Sequence, residues 1–206
     1  MNAVTTQSPD MLGQLRAATA PAHARLDAAF GALDLRQEEG CRRFLAAHAI
    51  ALRALFPRFA RFVQDELSSP CPDYPAMLAQ DLAERGCEAD ALPLLDAPAP
   101  AMAGDAAAGM AYVIAGSRLG NAVIRRNGYA GRETGRPSRY MEDDAGHALW
   151  KALVPWLRAR AFPPRQRERC EAAALATFTA FEHAHALSAA MNTPCHKARK
   201  GIPTNG

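Results

Sequence analysis

The stretch YVIAGSRLGNAVIRR, residues 112–126, keeps helical spacing throughout, yet it carries Gly116 and Gly120 four residues apart on one face. Inside a helix each glycine costs about 0.8–1 kcal/mol relative to alanine, and this chain uses alanine freely elsewhere. The missing methyl groups therefore mark a place where something must approach the backbone. Two things can do so: a closely crossing helix, or a flat ligand lying against the peptide groups. Between Ala106 and Ser117 there is no Asp, Glu, His, Lys or Arg. A bare backbone face with no acid beside it favours the ligand.

Outward from this segment the chain reads as all-α and as one domain. Isoleucine and valine together number nine, too few to build a sheet, while Ala, Leu and Arg dominate. Pro-, Gly- and small-polar-rich loops are expected at 68–75, 96–104, 127–139 and 162–164. Helices are expected between them at about 8–30, 37–66, 75–86, 88–95, 104–126, 141–160 and 164–191. The first would start with Ser8 as N-cap and Pro9 at the first helical position. Residues 1–7 and 192–206 read as flexible ends of a helical domain spanning 8–191.

The 206 residues, 49% of them hydrophobic, suffice for one core, and a net charge of +3 is too small to argue for nucleic acid. Arginines crowd positions 118 to 139, where solvation is their ordinary explanation. The amino terminus lacks a basic segment followed by an apolar run, and no apolar stretch approaches membrane-spanning length, so a cytoplasmic protein without a membrane partner is expected. Cys41, Cys71, Cys87, Cys170 and Cys195 have no regular spacing and read as reduced thiols. Cys71 lies in Ser-Pro-Cys-Pro and reads as a loop cysteine.

The first helix carries Arg16, Thr19, His23 and Asp27 at spacings that place them on one stripe, beside the kinking Pro21. In the second helix His48 falls on the apolar face and reads as a satisfied core histidine. Phe178 and Phe181 stand at helical spacing in the last helix, where core and pocket readings are equally open.

Two segments together resemble the haem oxygenase family: LRAATAPAHARLD at 15–27 and YVIAGSRLG at 112–120. The resemblance places the proximal haem-iron ligand at His23 and the distal-helix glycines at Gly116 and Gly120. Ser117 stands where animal members carry Asp and is similar to the bacterial, biliverdin-producing branch, which includes enzymes serving bacterial phytochromes. The implied fold is a helical bundle holding haem between a proximal N-terminal helix and the distal glycine-bearing helix.

The resemblance also implies the reaction. Haem would be both cofactor and substrate, cleaved with O₂ to biliverdin, CO and ferrous iron, using electrons from a reductase or ferredoxin; a bilin-accepting phytochrome is a further implied partner. A neutral imidazole leaves the iron reducible and able to bind O₂. Gly116, Gly120 and the Ser117 hydroxyl would hold the water that delivers protons. Arg16, about 10 Å along the axis from His23, and Tyr112, one turn before Gly116, would reach the haem propionates. Thr19 and Phe181 complete the expected haem contacts, and Asp27 is expected to tether local structure.

Two alternatives stand beside this one. The same fold can serve a haem-binding or sensing protein without turnover. The pairs Asp144/His147 and Glu182/His185 each put a carboxylate and an imidazole on one helical face, as four-helix di-iron sites do.

Overall fold

The computed structural model describes residues 10–95 and 106–190. The expected termini, the Ser8/Pro9 helix start, the 96–104 loop and Cys195 lie outside these residues.

Helix α1, Met11–Gly31, starts at Asp10, whose carboxylate accepts a hydrogen bond from the Gly13 amide at 2.7 Å. It buries Met11, Leu12, Leu15, Thr19 and Ala22, while Pro21 faces solvent and the helix continues past it. Helix α2, Glu38–Phe62, ends in a π turn over Val63–Leu67, closed by Ser68 in the left-handed region. Helix α3, Tyr74–Ala83, is capped by Asp73. The helix expected at 88–95 shrinks to a 3₁₀ turn at Ala89–Ala91. The cause is Pro93, which pushes the preceding Leu92 out of the helical region to ψ 147°.

The expected 104–126 helix is not continuous. Helix α4, Ala107–Ser117, gives way to a 3₁₀ turn at Arg118–Gly120, and α5 resumes at Asn121–Asn127. The 141–160 segment likewise divides into α6, Arg139–Glu142, and α7, Ala145–Ala159. Asp143 is extended between them, and its carboxylate accepts from the amides of Ala145 and Gly146 at the start of α7. Helix α8 runs Pro164–Ala189.

Helix α8 is the centre of the bundle and packs on α1, α2 and α4; α2 also packs on α3 and α4, and α7 on α4. The core is built from leucines and phenylalanines of α1 and α2 against the small residues of α4 and α8. Each fully buried Leu or Phe contributes about 1.5–3 kcal/mol of transfer free energy. The small residues set the spacing. A Cβ on Gly109 would lie 1.8 Å from the Cys170 carbonyl oxygen, so α4 and α8 cross in direct backbone contact. All described elements are helical or irregular, as composition implied, and none is long and apolar enough to cross a membrane.

Candidate functional site

A cavity of about 830 Å³ separates α1 from the α4–α5 segment, within the usual size range of small-molecule sites. Its wall takes Arg16, His23 and Asp27 from α1 and Tyr112, Gly116, Ser117 and Gly120 from the glycine-bearing segment. Phe178 and Phe181 come from α8, which closes the remaining side. The two segments singled out in the sequence thus face one space, with both phenylalanines in its wall.

His23 Nδ1 donates to Asp27 Oδ2 at 2.8 Å, and its ring lies 5.7 Å from that of Phe178. A carboxylate only accepts, so this contact places a proton on Nδ1 and leaves Nε2 as the ring nitrogen outside the pair. Arg16 and Tyr112 also line the cavity, the Tyr112 ring 5.8 Å from that of Trp150. Thr19 does not. It is fully buried, and its hydroxyl donates to the Leu15 carbonyl at 2.7 Å. It sits at the edge of the stripe that turns into the core, so the expectation that it contacts the cavity ligand is corrected.

The glycines divide the two readings between them. A Cβ on Gly120 would meet nothing within 4 Å, whereas one on Gly116 would lie 3.2 Å from Trp150 Cζ3. Gly120 keeps cavity space open, while Gly116 makes room for an aromatic ring of α7 that itself lines the cavity. The Ser117 hydroxyl donates to the Ile114 carbonyl at 2.8 Å, which leaves its oxygen lone pairs as acceptors.

Among the wall residues not read from sequence as part of a site, three bring polar groups from separate elements. Arg36, in the loop between α1 and α2, lines the cavity and donates through Nε to the Asn127 carbonyl at 3.2 Å. Asn121 lines it while donating to the Tyr140 carbonyl. His48 is buried and satisfied as expected, Nδ1 donating to the Phe44 carbonyl at 2.8 Å, yet it also reaches the cavity. Burial, aided by the neighbouring Arg118 charge, lowers its pKa to about 4, so it is a neutral ring near pH 7.

Arg118 corrects the solvation reading of the arginine cluster. It is fully buried, its guanidinium 4.6 Å from the Tyr74 ring centroid and 4.0 Å from that of Tyr140. Cys71 contributes nothing to the cavity wall; burial pushes its thiol up to about 11. The di-iron ligands are not assembled either. Asp144 pairs with Arg125 at 2.8 Å and Glu182 with Arg25 at 3.1 Å. His185 packs its ring 5.1 Å from that of Phe30. Among the described residues no three His, Cys, Asp or Glu side chains are placed to hold a metal ion.

No protein-family model matches the chain, and no curated protein matches its sequence. Among solved structures, the haem oxygenase of Neisseria meningitidis, determined with NO and CO bound, is similar, with a TM-score of 0.67 at 20% identity over 93% of this chain and 98% of that one. With all described elements helical and in the order the two motifs implied, the chain has the haem oxygenase fold.

Proposed function

We propose that the cavity binds haem and that the protein is a haem oxygenase. The observation that carries this reading is His23. Its imidazole stands in the wall of a large cavity with Nδ1 held by Asp27 and Nε2 outside that pair, the arrangement of a metal-ligating histidine oriented by a carboxylate. The wall fits the group: Phe178 and Phe181 offer apolar surface, and the space beside Gly120 is open.

His23 would ligate the iron through Nε2. Arg16 would pair with a propionate through its guanidinium fork, and Tyr112 would donate to the same edge. When bound, haem supplies both the iron that activates O₂ and the porphyrin that is cleaved to biliverdin, CO and ferrous iron, with electrons from a reductase or ferredoxin. On the α4–α5 side the described wall residues include no carboxylate, and His48 is neutral. This wall therefore holds water through backbone groups at Gly116 and Gly120 and the accepting oxygen of Ser117, without presenting a strong acid. Biliverdin released from the site is the pigment a bacterial phytochrome would accept.

Hemin titration of wild type and His23→Ala tests the reading. A Soret band that shifts or disappears in the variant, and that bleaches to a green bilin with ascorbate and O₂ in the wild type, supports it. A His23-dependent band that survives ascorbate and O₂ unchanged identifies a haem-binding protein without turnover. Indifference to hemin ends the proposal.

A further inference from the structure

We propose that Arg118 is a positioning residue that fixes the helix break at 118–120 and so sets where the Gly116–Gly120 backbone stands in the cavity wall; this deepens the haem-pocket reading and rests on it. Arg118, Asn121 and Arg125 recur at i, i+3, i+7, with Arg118 and Arg125 on the face opposite Gly116 and Gly120 and Asn121 at the edge between that face and the cavity. All three grip the corner between α6 and α7. Arg118 and Asn121 both donate to the Tyr140 carbonyl, and Arg125 reaches the Met141 carbonyl and the Asp144 carboxylate. Arg118 further pairs with Asp143 at 3.5 Å, the carboxylate that caps the first turn of α7.

Stability alone does not account for this side chain. Its exposure is 1%, and its Nε has no hydrogen-bond partner, as is also true of the hydroxyl of the adjacent Tyr74. A buried ion pair with a donor left over is seldom more stable than an apolar filling of the same space. What arginine adds is geometry. One guanidinium nitrogen, Nη2, meets both the Tyr140 carbonyl and the Asp143 carboxylate, while the flat group lies against the two tyrosine rings at 4.6 and 4.0 Å, a slot that a lysine ammonium does not fill. The fold leaves room for it: a Cβ on Gly146 would lie 2.6 Å from Arg118 Cγ, so glycine at the start of α7 admits the arginine stem. Tyr140 carries the restraint onward, because its ring packs 5.3 Å from that of His48 and both line the cavity. Named contacts thus tie Asp143 and Tyr140 to Arg118 and Asn121, the residues that flank the turn ending at Gly120.

The test uses Arg118→Met, Arg118→Lys and Gly146→Ala in the full chain. In hemin-free protein, amides 116–122 of Arg118→Met should exchange with solvent at least about tenfold faster than in wild type, with α2 amides within about twofold. Arg118→Lys, which keeps the charge but not the planar group between the tyrosine rings, should behave like the methionine variant. With hemin, both should retain a His23-dependent Soret band but with a displaced maximum, and should give a broader mixture of biliverdin isomers. Wild-type exchange and a wild-type spectrum in Arg118→Met would overturn the proposal, as would full rescue by lysine. If Arg118→Met fails to fold, Gly146→Ala decides on the same two readouts, because it crowds the stem and leaves the charge in place. If the wild type takes up no hemin, the haem reading falls, and the exchange rates alone judge the clamp.

Discussion

His23 Nδ1 lies 2.8 Å from Asp27 Oδ2, one helical turn further along α1, with the two side chains 58% and 69% exposed. A pair so open to water contributes little to folding, on the order of 0.5 kcal/mol or less. Its orienting effect on Nε2 is a different quantity, since loss of a carboxylate behind a ligating histidine typically costs about 10–100-fold in metal affinity. Asp27→Ala should therefore leave the melting temperature of hemin-free protein nearly unchanged while weakening hemin binding by about tenfold. Equal hemin affinity in the two proteins would remove Asp27 from the site.

The two cavity glycines should respond differently to a side chain. Gly120→Leu projects into open space, so urea unfolding should barely change while hemin binding is lost or greatly weakened. Gly116→Ala forces Trp150 to give way by a few tenths of an ångström, which should shift tryptophan emission. Undiminished hemin turnover in Gly120→Leu would show that the space beside Gly120 is not part of the reaction site.

Gly109 has a purely architectural role. With the Cys170 carbonyl 1.8 Å from the Cβ that alanine would carry, Gly109→Ala must push α4 away from α8. Overpacking of this kind costs about 1–3 kcal/mol, and backbone against backbone belongs at the upper end. Chemical denaturation measures it, and a loss below about 1 kcal/mol would mean that the two helices slide apart freely.

His48 makes stability depend on pH in a defined window. In the unfolded chain a histidine titrates near 6.5, whereas burial holds the folded ring near 4. Between these values the unfolded state carries a proton that the folded state lacks, so this contribution to stability is intact above pH 6.5 and is lost progressively as pH falls to about 4. The loss amounts to about 3 kcal/mol. His48→Leu should flatten that part of the stability curve in urea titrations at pH 7, 5.5 and 4.5. Parallel wild-type and variant curves would show that His48 titrates as it does in the unfolded chain.

Composition alone made the fold class legible, because a chain with so few β-branched apolar residues cannot pleat a sheet. The proximal and distal segments were legible too, since a histidine beside an aspartate one turn on, and two glycines in an alanine-rich helix, are local patterns. What stayed hidden is tertiary. Gly109 is a lone glycine among alanines, and its reason, Cys170, lies far along the chain. The break after Ser117 leaves no mark in the periodicity, because one 3₁₀ turn of three residues nearly matches an α-helical turn. Arg118 looked solvated because arginine usually is, although its spacing with Arg125 opposite the glycines was a signal that could have been followed. Arg36 and His48 join the wall only through the way α1, its following loop and α2 fold together, which no local pattern records.

The ring contact between His23 and Phe178 joins the first helix to the last. During synthesis, α1 leaves the ribosome long before the segment that will cover it, so a nascent chain lacking its final helix carries the imidazole with no apolar floor beneath it. On the haem reading, pigment capture needs the finished polypeptide, and a translation product stopped before Phe178 should not be retained on hemin agarose.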